Sequence, residues 1–436
     1  MNTFQTGLLL AFGFLVIVAV LVFSGVLPGA KGPNEGIGGV VVVWGPYPTE
    51  TVDTALREFK RQYEKEFTLT YVAKNPATLE QQFVEALAAG EGPDLVILPH
   101  TSLLRQQNKL VQLPYTSLPE RTYTDTFLRA GALYLDTTGI WALPFAVDPL
   151  VLYYNVDRLS AARLAAPPTT WAELQTQVPS LSTADRSGNL LSSAIPLGNF
   201  GNINHAKDIL ALLIMQTGNP IVSRVNDGYQ ARLGGNVGGQ TNNASTEALG
   251  FFHRFSDPAN PLYSWNAAQP EARDAFVRGQ TAFYLGYASE LPRLRQQNPQ
   301  LNLDAASVPQ LSASAALTFG RLDGLSLVRG SRNAATAVRA AYLLTSKEAS
   351  QALVPAAGLV PARIDILRIL PPGAIEATFY QAAIMSRAWL DPDPERTREI
   401  FRAMSDSIRA GAQSPESAIG AAVNQLNALL ANFSAS

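Results

Sequence analysis

The chain has 436 residues, of which 47% are apolar and only 16% charged, with a formal net charge of −2 at pH 7. That length exceeds what one compact core holds, so two lobes are expected. The near-neutral balance, without a long basic run, argues against nucleic acid as a partner. There is no cysteine, which removes disulfides, thiolate metal sites and thiol nucleophiles, and His100, His205 and His253 are not at zinc-ligand spacing.

Residues 7–27, GLLLAFGFLVIVAVLVFSGVL, carry no charge. They are long enough to cross a hydrocarbon core of about 30 Å as a helix. A cleaved signal peptide is the rival reading, but the apolar run is long and the PGA after it is a poor cleavage site. The segment is read as an uncleaved signal-anchor within residues 1–30, making a single-pass membrane protein. Charge does not orient it, because the α-amino group on one side faces only Lys31 on the other. The following PGAKGPNEGIGG, residues 28–39, reads as a flexible tether, of which 31–39 lie beyond the anchor segment.

Residues 40–44 are a continuous β-branched run, the pattern of a strand buried on both faces. GPYP breaks it, and Val52, Leu56, Phe59 and Tyr63 then share one helical face. Residues 67–72 read as the next strand. Thr78 and Gln81 form a capping-box pattern before a helix that stops at Gly90. PDLVIL is a third strand, ending at Pro99-His100-Thr101. Strand–helix alternation of this kind predicts a parallel sheet, with ligands beyond the carboxyl ends of its strands.

The segment GIWALPFAVDPLVLYYN, residues 139–155, is apolar apart from Asp148. A lone buried carboxylate is costly, so Asp148 either faces a polar cleft or satisfies backbone N–H groups at a bend before Pro149. Further along, Thr170 and Glu173 cap a helix opening on Trp171, and NFGNINH leads into a helix ended by Gly218. Residues 281–285 read as a strand, LDAASVPQ as a short strand and GLSLVRG as another. Helices are predicted over residues 334–344, from Asp391-Pro392-Asp393-Pro394 to Gly411, and from Ser414-Pro415-Glu416 onward.

In order along the chain, VVVWGPYPTE, AAGEGPDLVILPHTSLLRQQNKLVQLP, GIWALPFAVDPLVLYYNVDRL with PPTTWAEL, GQTAFYLGYASEL, SVPQ, YLLTSKEASQALVPAAGLVPARIDIL and SPESAIGAAVNQLNALL resemble the extracellular solute-binding proteins of ABC importers, in the maltose-binding-protein-like, sugar-binding branch. The resemblance runs from about residue 40 to the end. It implies an α/β, two-lobed, periplasmic-binding-protein-like fold of type II, each lobe a mostly parallel sheet flanked by helices. Residues 37–147 with about 310–363 would form one lobe, and 149–308 with about 364–436 the other. It implies capture of a small solute, most plausibly a sugar, by lobe closure, and delivery to ABC permease subunits by a monomer without a cofactor or metal.

Carried over residue by residue, the resemblance implies ligand contacts at Trp44, Tyr47, His100, Thr101, Asp148, Asn199, Asn202, Tyr287, Ser289, Arg321, Asp323 and Trp389. Each also has a plainer reading. The aromatics would serve the core, the asparagines make turns, and Arg321 and Asp323 pair with each other. A ligand-sensing subunit for a membrane receptor is the alternative function. A tethered glycan hydrolase using Asp148 with Asp323 or Glu290 is a further one, although no nucleophile motif accompanies it, and the chain is expected not to be an enzyme. The family's usual lipid-bearing cysteine is absent here.

Overall fold

In the computed structural model the described residues are 38–226, 228–235, 243–312 and 315–433. The predicted anchor at residues 7–27 lies outside them, and among the described residues no helix is long and apolar enough to cross a membrane. The chain enters at β1 (Val40–Gly45), continues through α1 (Thr49–Ala55), α2 (Arg57–Tyr63), β2 (Thr68–Ala73) and α3 (Leu79–Ala88), and reaches β3 (Leu95–Pro99). β1 pairs in parallel with both β2 and β3. The single helix expected over residues 52–63 is two, interrupted at Leu56. Nor does the capping box form. Thr78 gives α3 no side-chain cap and instead accepts a hydrogen bond from Gln82, while Gln81 bonds Glu85.

β4 (Leu143–Asn155) is the longest strand. Beyond it come α4 (Trp171–Leu181), α5 (Ala206–Gln216), the hairpin β5 (Val222–Val225) and β6 (Gly228–Ala231), α6 (Ala244–Arg254), β7 (Phe283–Tyr287) and β8 (Leu303–Ala306). β9 (Thr318–Val328) then returns antiparallel to β4, starting six residues before the GLSLVRG strand expected. α7 (Ala334–Leu344), α8 (Lys347–Ala356), β10 (Val360–Pro361), α9 (Ala374–Met385), β11 (Ser386–Arg387), α10 (Pro394–Arg409) and α11 (Pro415–Leu430) complete the chain.

The sheet order is β7–β4–β9–β3–β1–β2. β4 therefore belongs to two neighbourhoods. Its first half pairs with β9 and β10, and its second half with β7 and β8. Two hydrophobic cores flank this crossing. One gathers Val41, Val43, Leu95, Ile97, Phe145, Leu325 and Leu344. The other is centred on Leu152, Tyr153, Leu212, Phe252, Trp265, Phe276 and Leu426. The molecule thus has a lobe one, built on β1–β3, and a lobe two, built on β7, β8 and the helices α4–α6 and α9–α11. The mostly parallel sheet expected of each lobe holds only for β1–β3, since β7 and β8 both run antiparallel to β4. The physical reason is that β4 itself crosses over, and β7, β8 and β9 come back to it only after the chain has built the helices of lobe two, so each meets β4 in the opposite sense.

The crossing has its own chemistry. Pro149 of β4 faces Gly320 of β9, and Asp148 faces Arg321. A Cβ on Gly320 would lie 2.5 Å from the Ser386 hydroxyl, so only glycine lets β11 lie against β9 there. The β4–β9 register shifts between Asp323 and Gly324, which leaves Phe145 unpaired and free to stack on Tyr47 at 5.8 Å.

Candidate functional site

The carboxyl end of β3, the middle of β9, the first turn of α5 and the segment from Trp389 into α10 meet around a cavity of about 310 Å³. Both lobes contribute. Pro99, His100 and Thr101 come from lobe one, Arg321 and Asp323 from the returning strand, and His205, Lys207, Asp208, Trp389, Asp391 and Arg398 from lobe two. The location follows from strand direction, because loops leaving the carboxyl ends of parallel strands converge on one edge.

The polar groups of this lining are arranged in pairs. Lys207 Nζ lies 2.6 Å from Asp391 Oδ2, and Asp391 is also held by the Thr397 hydroxyl and the Asp393 backbone N–H. Burial pushes the Asp391 carboxyl up, while Lys207 pulls against that shift. Arg321 Nη2 donates to Asp208 Oδ2 at 3.0 Å, and the guanidinium sits 3.9 Å over the Tyr287 ring. The Tyr287 hydroxyl donates to the same Asp208 oxygen. Although burial opposes it, the charges of Arg321 and Lys207 hold Asp208 below the usual carboxylate range. Two residues along β9, Asp323 accepts from the Tyr47 hydroxyl at 2.6 Å, and burial raises its pKa. So Arg321 and Asp323 do not pair with each other. One is tied to lobe two and the other to lobe one.

His100 is buried, and its Nδ1 accepts the Leu322 backbone N–H at 3.2 Å. Burial lowers its pKa to about 4. His205 opens α5 from the opposite wall. Its Nε2 bonds Glu290, which also accepts from Tyr284, and its ring meets the edge of Tyr287 at 4.7 Å. Trp389 presents a ring stacked on Phe401 at 6.3 Å, with the Lys207 ammonium 5.7 Å from its centroid.

Of the residues expected at a site, His100, Thr101, Arg321, Asp323 and Trp389 line this cavity. Tyr47 and Tyr287 stand one layer behind, each holding a lining carboxylate. Asp148 and Ser289 are absorbed by each other. The half-buried Asp148 accepts from the Ser289 backbone N–H at 2.9 Å and from its hydroxyl at 2.6 Å. The partner is thus not a neighbouring backbone N–H at a bend, since β4 runs through Asp148 unbroken, but Ser289, brought alongside at the end of β7. Trp44 is buried beneath the Lys74 ammonium, 3.7 Å from its ring. Asn199 and Asn202 bond each other, and Asn202 further ties Trp265, Asn266 and Gln269, which makes them a loop clasp just outside the cavity lining, next to Ile203 and Asn204. The carboxylates required by the hydrolase reading are likewise occupied: Asp148 by Ser289, Asp323 by Tyr47, and Glu290 by His205 and Tyr284.

The sequence reading missed His205, Lys207, Asp208 and Asp391. A signal was present. α5 is buried on nearly every side, so a Lys-Asp pair in its first turn needs the same explanation as a lone carboxylate in an apolar strand.

The model of the bacterial extracellular solute-binding protein family matches residues 54–376. The chain belongs to that family. Membership places the globular part of this solute-binding protein outside the cytoplasm. Solved structures agree on the fold. The sugar-binding protein MalE of Xanthomonas citri superposes with a TM-score of 0.72 at 19% identity, covering 90% of this chain and 98% of that one. The GacH receptor of Streptomyces glaucescens, solved unliganded and with acarbose, gives 0.67 at 18%, covering 91% and 100%. The maltose/maltodextrin-binding domain MalE of Bdellovibrio bacteriovorus, bound to maltotriose, gives 0.60 at 16%, covering 89% and 99%. This solute-binding protein therefore has the two-domain periplasmic-binding-protein-like fold, in a family of binding proteins rather than enzymes.

Proposed function

We propose that this solute-binding protein captures a neutral sugar or short oligosaccharide in the interlobe cavity and delivers it to the permease of an ABC importer. The observation that carries the reading is the lining itself. Two cation–carboxylate pairs, Lys207 with Asp391 and Arg321 with Asp208, stand beside an aromatic face in a cavity shared by two lobes. A neutral polyol suits such a lining, because hydroxyls donate to carboxylates and accept from cations while ring CH groups pack on Trp389. The sugars and acarbose bound by the structural relatives point the same way. Ligand contact with both lobes would favour the closed arrangement. His100, Thr101, Arg321, Asp323 and Trp389 are proposed as ligand contacts, joined by His205, Lys207 and Asp208.

In the same proposal residues 7–27 anchor the protein as a single membrane-spanning helix. We place the lobe boundaries near residues 147–149, 308–310 and 363–364.

The test is a thermal-shift screen of neutral sugars, acidic sugars, peptides and polyamines on the full chain in detergent. A ligand at about one hundred times its Kd stabilises by about 2.7 kcal/mol. Stabilisation by neutral sugars alone supports the reading, and stabilisation only by peptides or polyamines overturns it.

A further inference from the structure

His100 poses a hydrogen-bonding problem that the protein alone leaves unsolved. Its Nδ1 is used as an acceptor by the Leu322 backbone N–H, a group with no proton to share except as a donor. A neutral imidazole that accepts at Nδ1 must carry its proton on Nε2. That Nε2 is buried and has no partner, in a side chain that is only 2% exposed and borders the cavity. Buried N–H groups are rarely left unpaired, because each one costs the full loss of its hydration.

Resting on the proposed carbohydrate reading, we infer that His100 is locked as an Nε2–H donor at the cavity floor and gives that hydrogen bond to a ligand oxygen. The backbone of β9 does the locking. The ring cannot reverse its polarity without setting the Leu322 N–H against an imidazole N–H. The donor therefore selects ligands that offer a lone pair at this point, such as a hydroxyl or ring oxygen, and rejects those that present a second N–H. The surroundings preserve neutrality. Asp208 and Lys207 on α5 and Arg321 on β9 act on the ring with opposing signs, and burial dominates, holding the pKa to about 4. The donor is thus constant from pH 5 to pH 8.

Two measurements on the full chain in detergent decide this. Long-range proton–nitrogen correlation on 15N-histidine protein reads the ring tautomer without any ligand, and loss of signals in His100→Asn assigns His100 among the three histidines. Expected are a protonated Nε2 and a bare Nδ1 throughout pH 5–8. An Nδ1–H tautomer, or titration with an ordinary imidazole midpoint, overturns the inference. Calorimetry with maltotriose and mannobiose then compares variants. His100→Asn keeps an acceptor for Leu322 but withdraws the deep donor, and should weaken the sugar that binds by about tenfold or more. His100→Gln restores a donor at similar reach and should recover most of the loss. Unchanged affinity in His100→Asn overturns the donor role. Failure of both sugars to bind the wild-type chain counts against the carbohydrate reading, and is told apart because the tautomer measurement needs no ligand.

Discussion

Asp148 and Tyr47 show how a side chain's partner decides its effect. Burial pushes the Asp148 carboxyl up to about 6, against the pull of its two Ser289 hydrogen bonds. A folded-state pKa above that of an unfolded aspartate, about 3.9, favours the folded protein at low pH, and this contribution is lost as pH rises through about 6. Asp148→Asn can keep both contacts, accepting from the Ser289 N–H and donating to its hydroxyl, without a buried charge. The wild type should therefore lose melting temperature relative to Asp148→Asn between about pH 4 and pH 6, most steeply near pH 5. Parallel melting curves of the two proteins check this, and a constant offset across that window would refute it. Tyr47→Phe has the opposite character. It strips the carboxylate of Asp323 of a 2.6 Å partner, and a hydrogen bond to a charged group is worth about 1.5–3 kcal/mol. Urea denaturation should show a loss of that size.

At the scale of elements, one ion pair joins the start of α5 to the start of α10. Lys207 reaches Asp391 and the Pro394 carbonyl, while Asp393 caps α10 through the N–H groups of Glu395 and Arg396. Removing one member of a buried pair strands the other, at a cost of about 3–5 kcal/mol. Lys207→Met should be destabilised by that amount in denaturant, and Lys207→Met with Asp391→Asn should regain part of it. Legibility followed the same division. Helices with end signals were readable: α7 spans the predicted residues, and α10 and α11 begin at the predicted Asp-Pro and Ser-Pro caps. β9 was read short because its first half, TFGRLD, carries the glycine, arginine and aspartate that the crossing requires, and those residues disguise a strand. Of the five expected site residues that line the cavity, His100 and Thr101 were placed by following β3, whose direction was readable, whereas Arg321, Asp323 and Trp389 came from the resemblance alone. The contribution of α5 was overlooked: its Lys-Asp pair looks like an ordinary polar first turn, and only the apolar ILALLIM behind it marks a helix with no solvent face.

Among the described residues, two arginines hydrogen-bond across the lobes beyond the crossing strands. Arg105 Nη1, beside β3, donates to the Pro392 carbonyl at 3.1 Å. Arg224, on the β5–β6 hairpin, donates to the Leu135 carbonyl at 3.0 Å and pairs with the buried Asp136. These contacts favour the arrangement seen, whereas the two paired crossing strands permit rotation. Arg105→Ala with Arg224→Ala should populate a more open form, and small-angle X-ray scattering of the ligand-free protein should give a larger radius of gyration than the wild type. An identical scattering profile would mean that the strands alone set the lobe angle.

The direction of β1 has a consequence for handover. The chain joins lobe one at the amino end of β1, where Gly38 bonds Thr336 and the Val40 carbonyl bonds Asn333. The cavity opens past the carboxyl ends of the parallel strands, at the other pole. Under the anchoring proposed above, a body held at this pole would keep its mouth turned toward the surrounding fluid, where solute is met, and away from the surface holding it. Delivery to a receiver in that surface would then require the body to tumble over its own attachment. Ten residues, 28–37, can span at most about 35 Å, so on that proposal the leash length would set which receivers lie within range of a single somersault.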